Sequence, residues 1–131
     1  MACDEFKSPS LRYRLPAIPA SEVLRAAFRA CDLIDVRKAA ARAADGRDLA
    51  GARWVDPFSL RFEHPVLSGS RPLVFFCVHG HEVSQFAAAL ALVAGVEARY
   101  VEGGFAALVA AGARLVPRCP ALGDIDQEGW R

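Results

Sequence analysis

The run Leu73-Val74-Phe75-Phe76 constrains the fold of this chain more than any other segment. It is short and apolar at every position, so it reads as a strand buried on both faces. Such a strand needs a layer above it and a layer below it. The flanking sequence supplies them by alternation. Ser21 is a helix N-cap, Glu22 suits the first turn, and Val23, Leu24, Ala27 and Phe28 share one face of a helix ending near Ala30. Leu33-Ile34-Asp35-Val36 reads as a second buried strand, and Lys38 to Ala44 as an alanine-rich helix stopped by Gly46. A short strand is expected around Arg53 to Val55, and Pro57 to Ser70 is irregular with one helical turn. After Cys77 comes the tight segment Val78-His79-Gly80-His81-Glu82. A helix then starts near Val83 or Ser84 and runs to about Ala94. Ala98 to Val101 is a further strand, Gly103-Gly104 a turn, and Phe105 to Ala111 a helix stopped by Gly112. Strands alternating with helices imply crossover connections and a largely parallel sheet covered on both faces, an α/β architecture.

The length of 131 residues fits one domain, which can bury a core without disulfide or metal staples. Residues 1–16 read as an arm with one short edge strand at Arg12 to Leu15, 17–117 as the domain, and 118–131 as a tail. The net charge is +1 and there is no basic stripe, so neither nucleic acid nor a membrane surface is an expected partner. The apolar runs are too short to span a bilayer, and the acidic start, Cys3-Asp4-Glu5, is not a signal peptide. Cys3, Cys31, Cys77 and Cys119 form no CxxC pair, zinc spacing or disulfide framework. A reducing cytoplasm is the expected compartment.

The chemistry centres on Cys77. In open parallel sheets ligands bind beyond the carboxyl ends of the strands, where Cys77 sits. A helix N-terminus follows, with partial positive charge and free N–H groups that favour a thiolate, the nucleophilic form. Gly80 lets the loop curl so that successive N–H groups can cradle an anion. A cysteine at a strand end is often only a small buried hydrophobe, and Cys31, with no glycine loop after it, is read that way.

The pieces, in order, resemble the rhodanese-like family over about residues 18 to 117. Ile18-Pro19-Ala20-Ser21-Glu22-Val23-Leu24 is similar to its opening segment, and Leu33-Ile34-Asp35-Val36-Arg37 to its strand ending in Asp-Val-Arg. Asp48-Leu49-Ala50-Gly51-Ala52 is a worn His-Ile-Pro-Gly-Ala segment. Phe76-Cys77-Val78-His79-Gly80 matches the start of the active loop, and Glu102-Gly103-Gly104-Phe105, with Ala111-Gly112, the closing segment. The resemblance implies a three-layer sandwich around a five-stranded, mainly parallel sheet. It implies a sulfurtransferase in which Cys77 takes the sulfane sulfur of a donor such as thiosulfate and passes it to cyanide or a thiol, with a protein thiol as one possible acceptor. The persulfide would be held by the loop of Val78, His79, Gly80, His81, Glu82, Val83 and Ser84. No cofactor and no metal are implied.

Departures from the family pattern keep other readings in play. Many active members carry Arg or Lys in this loop, often five residues after the cysteine, where this chain has Glu82. A carboxylate pointing inward there repels thiosulfate and disfavours the thiolate. This motivates a second reading, a binding or regulatory module with little turnover. A thiol-dependent role in arsenic or chromate stress is a third. His79 and His81 are expected to line the loop and recruit donor or acceptor, a zinc site with Cys77 being the lesser alternative. Asp35 and Arg37 are expected near the same sheet edge as an ion pair or loop anchor rather than as catalytic groups. Phosphatase or arsenate-reductase chemistry needs an Arg six residues after the cysteine, and Val83 stands there.

Overall fold

A computed structural model describes residues 16–25 and 31–118. The proposed edge strand at Arg12 to Leu15, the helical positions Ala27 and Phe28, and most of the tail lie outside the described residues. The elements in chain order are β1 (Ala17–Ile18), α1 (Ala20–Arg25), β2 (Asp32–Asp35), α2 (Ala39–Asp45), β3 (Arg47–Leu49), β4 (Arg53–Trp54), β5 (Leu73–Phe76), α3 (Glu82–Val93), β6 (Ala98–Val101), α4 (Gly104–Ala110) and β7 (Leu115–Pro117). Two short 3-10 turns, Pro57–Ser59 and Pro65–Ser68, occupy the segment read as irregular. No described helix is long and apolar enough to cross a membrane.

β5 is the central strand. Five strands form one sheet in the order β1-β6-β5-β2-β4, and every neighbouring pair is parallel. The register sets Asp35 beside Phe76 and beside Trp54, so the residues after these strands emerge together at one edge. The α/β sandwich with a five-stranded parallel sheet is thus the observed architecture.

Two apolar clusters cover the two faces, and the pleat of β5 divides them. Leu73, Phe75 and Cys77 point to one side, against Ala87, Ala88 and Ala91 of α3 and Val66 and Leu67 of the second 3-10 turn. Val74 and Phe76 point to the other, against Val23 of α1 and Phe105 and Leu108 of α4. Phe75 and Phe76 are fully buried, each worth about 2 to 3 kcal/mol in transfer free energy. The buried face of α3 consists of Ser84 and alanines, so the helix lies close over the aromatic strand.

A second sheet was not legible in the sequence. β3 and β7 pair antiparallel, Asp48 opposite Val116, and Arg118 N–H extends the ribbon to Gly46 O at 2.9 Å. Both strands are only three residues long, and apart from buried Leu49 their residues are exposed or half-buried, so they carry no periodic signal.

The loop after β5 meets the start of α4 backbone to backbone. Phe105 N–H donates to Cys77 O at 2.7 Å, and Ala106 N–H to Val78 O at 3.1 Å. The N–H groups at this helix start therefore have acceptors in the loop. Side chains are excluded at the contact. A Cβ on Gly104, whose φ is +61°, would lie 2.4 Å from Cys77 O and 2.6 Å from Gly80 N. A Cβ on Gly80, whose φ is +75°, would lie 2.7 Å from Gly103 N and from Val101 O.

This packing can be tested at two positions. Gly104→Ala must displace main chain as well as adopt a strained φ, at a cost of about 3 kcal/mol in urea-unfolding stability. An unchanged midpoint would refute the contact. The second position is His64, whose Nδ1 accepts from Val66 N–H at 3.1 Å at the start of the second 3-10 turn. Burial pushes the imidazole below its ordinary pKa of 6.5. The neutral ring therefore contributes stability that is complete above that value and lost as pH falls through the lower folded one. The midpoint of the native protein should fall on acidification below about pH 6. His64→Asn keeps an acceptor that does not titrate, and should lack that component.

Candidate active site

Cys77 lies one residue beyond the central strand, and alternation along β5 aims its side chain toward α3. The residue is 6% exposed. Its Sγ contacts Ser84 Oγ at 3.2 Å, and Ser84 is fully buried in the first turns of α3. With the thiol protonated the sulfur donates. With a thiolate the hydroxyl can rotate and donate instead.

Cys77 lies on the wall of a cleft of about 440 Å³ lined by Arg37, Lys38, Ala41, Val78, His79, His81, Glu82 and Val83. Since Cys77 is buried while Lys38, His79, His81 and Glu82 are exposed, the cysteine forms the floor and these polar residues the rim. The structure thus brings most of the loop residues singled out in the sequence around one cavity. Gly80 shapes the loop, and Ser84 stands behind the sulfur. A second hollow, about 360 Å³, continues past Arg37, Ala41 and Val78 to Phe105.

The loop is held through its carbonyls, which leaves its N–H groups uncommitted. Phe105 and Ala106 N–H bind the carbonyls of Cys77 and Val78, and Gln85 Nε2 donates to Gly80 O at 3.0 Å. Among the described residues the main-chain N–H groups from Val78 to Ser84 donate to no carbonyl. A loop whose carbonyls are tied back and whose N–H groups are unpaired suits an anion.

Glu82 begins α3, is exposed, and is one of the residues that line the cleft. His79 and His81 share the rim with ring centroids 6.3 Å apart. Among the described residues no group of three or more His, Cys, Asp or Glu side chains is placed to hold a metal ion.

The opposite wall follows β2 and is fixed by buried charge. Arg37, 1% exposed, binds Asp35 through Nε at 3.0 and 3.1 Å and Nη2 at 2.8 Å. Its Nη2 also reaches Arg47 O at 2.9 Å and Asp48 Oδ1 at 3.0 Å. Arg42 binds Asp48 through Nε at 3.0 Å and Nη2 at 2.8 Å. The Arg37 guanidinium lies 4.0 Å from the Phe105 ring centre, and Trp54 Nε1 donates to Arg37 O at 2.8 Å. Burial pushes the Asp35 carboxyl up, while the Arg37 hydrogen bonds and charge pull it down. Arg37 Nη1 is buried and has no acceptor among the described residues. Asp35 and Arg37 are therefore brought together in an ion pair. Sequence reasoning missed Asp48 and Arg42, the other two members. Asp48 sits in the worn His-Ile-Pro-Gly-Ala segment, and Arg42 reads as an ordinary surface charge in an alanine-rich helix.

The model of the rhodanese-like domain matches residues 20–111. The chain belongs to the rhodanese-like family. Solved structures agree in fold. This rhodanese-like chain is similar to the rhodanese-related protein of Thermoplasma volcanium, at 22% identity and TM-score 0.67, over 77% of this chain and 97% of that one. It is similar to a rhodanese homologue of Thermus thermophilus, at 28% identity and TM-score 0.56, over 71% of this chain and all of the other. It is also similar to the thiosulfate sulfurtransferase of Pseudomonas aeruginosa, at 23% identity and TM-score 0.65 over 79% of this chain, but spans only 19% of that protein. No curated protein matches the sequence.

The buried network generates a prediction. Arg37→Met leaves the Asp35 carboxylate buried without its partner and should cost about 3 to 5 kcal/mol in urea unfolding. Asp48→Asn, at the less buried end, should cost less. A fully stable Arg37→Met protein would show that the network is dispensable.

Proposed function

We propose that this protein is a sulfurtransferase that carries sulfane sulfur on Cys77. The observation that carries the reading is a cysteine at the floor of an open cleft, beside a hydroxyl and a loop of unpaired main-chain N–H groups.

The reaction has two displacements. The Cys77 thiolate attacks the outer sulfur of a donor such as thiosulfate. The donor S–S bond breaks, sulfite leaves with the electron pair, and Cys77 becomes a persulfide. The N–H groups of the loop stabilise the terminal sulfur anion. Cyanide or a thiolate then attacks that sulfur, the new S–S bond breaks, and the Cys77 thiolate returns. Ser84 acts on the inner sulfur, donating to it whenever it carries charge.

Glu82 on the same cleft favours a second reading, a module that binds a partner with little turnover. The carboxylate lowers the local concentration of a dianionic donor, and only the measured rate separates the two.

Brief exposure to thiosulfate should add one sulfur atom to the intact mass, on the peptide containing Cys77. Cys77→Ser should abolish both the adduct and thiocyanate formation. Ser84→Ala should lower kcat by about tenfold. Glu82→Gln should raise kcat/KM for thiosulfate by about threefold. An unmodified wild-type mass, or transfer that persists in Cys77→Ser, would overturn the assignment.

A further inference from the structure

The cleft rim poses an electrostatic question that the loop does not answer. The position five residues after Cys77 is Glu82, which is among the residues lining the cavity. Behind the opposite wall the charges of Arg37 and Arg42 are matched by Asp35 and Asp48. That network therefore presents no net charge to the cleft. Lys38 differs. It is the last residue before α2, it is exposed, and it lines the same cleft as Cys77. Among the described residues it forms no ion pair, and its ammonium lies 6.0 Å from the centre of the exposed Phe58 ring. The backbone beneath it cannot drift. Arg37 O accepts from Trp54 Nε1, and Arg37 N–H donates to Asp35 Oδ1 at 2.9 Å. The same wall holds Arg37 Nη1, which has no acceptor among the described residues.

We propose that Lys38, from the β2–α2 connection, is the anion-recognising residue of this site and selects sulfur donors with a charged leaving group. The inference rests on the sulfurtransferase reading. In-line displacement requires the attacking sulfur, the transferred sulfur and the leaving group to lie nearly on one line. With Cys77 on the floor, the leaving group must project toward the rim. Negative charge grows on that group as the S–S bond breaks, and a rim ammonium stabilises it as it forms. Ala41, one turn into α2, leaves the space between Lys38 and the loop open. The ligand class is a thiosulfonate anion, with thiosulfate the simplest example.

The test compares alkylation of Cys77 by iodoacetate, an anion, with alkylation by iodoacetamide, its neutral counterpart, read on the Cys77 peptide by mass spectrometry. Any change in thiolate population affects both reagents alike, so the ratio of rates reports the potential at the sulfur. Lys38→Ala should lower the iodoacetate-to-iodoacetamide ratio by about three- to tenfold, Lys38→Glu should lower it further, and Lys38→Arg should keep it near wild type. In the transfer assay Lys38→Ala should raise the KM for thiosulfate by a similar factor while the iodoacetamide rate stays constant. An unchanged alkylation ratio in Lys38→Ala and Lys38→Glu overturns the role of Lys38, whether or not the protein transfers sulfur. A lowered ratio in a protein that forms no persulfide leaves the anion site standing and removes the sulfurtransferase reading.

Discussion

The buried pairing of Arg37 with Asp35 is the interaction on which the rest of the site depends. It ties the end of β2 to β3 through Arg47 O and Asp48, to α2 through Arg42, to β4 through the Trp54 indole, and to α4 through the Phe105 ring. A guanidinium removed from water is tolerable only with most of its donors engaged, and here Nε and Nη2 are bonded while Nη1 has no acceptor among the described residues. Here two carboxylates, a carbonyl and an aromatic face engage it, so the segment from Val36 to Lys38 has little freedom. One wall of the cleft is rigid for that reason, although it belongs to a connection between two elements rather than to either of them.

The other wall is held by main chain. Gly80 and Gly104 touch at distances that leave no room for a side chain, and the start of α4 donates to the carbonyls after β5. Turning those carbonyls toward α4 leaves the loop N–H groups unpaired. The same contact that anchors the loop therefore makes it suited to negative charge. Phe105 joins the two walls, since its N–H holds the cysteine loop while its ring packs on Arg37 and, at 6.2 Å between centroids, on Phe76.

The small residues of α3 complete the arrangement. Ser84, Ala87, Ala88 and Ala91 let the helix settle on Phe75, which brings its first turn down to Cys77. A larger residue at position 84 would lift that turn and separate hydroxyl from sulfur. Core packing and reactive geometry are thus the same set of contacts seen from two sides.

The parallel sheet, the central place of β5 and the position of Cys77 beyond it were legible because they follow from local pattern. An apolar run flanked by helical periods has few alternatives, and a cysteine between such a strand and a glycine loop falls at the ligand-binding edge. The ribbon of β3 and β7 was not legible, since its three-residue strands are defined only by each other. The membership of Asp48 and Arg42 in the buried network and the place of Glu82 and Lys38 at the cleft were also hidden. Each depends on where a side chain points relative to residues distant in sequence. Sequence alone determined which backbone elements form and in what order, because hydrophobic period and turn chemistry act over a few residues. Only the tertiary structure decided which charges are spent on one another and which are left unpaired at the cleft that Cys77 lines, because that balance is set by segments that meet only on folding.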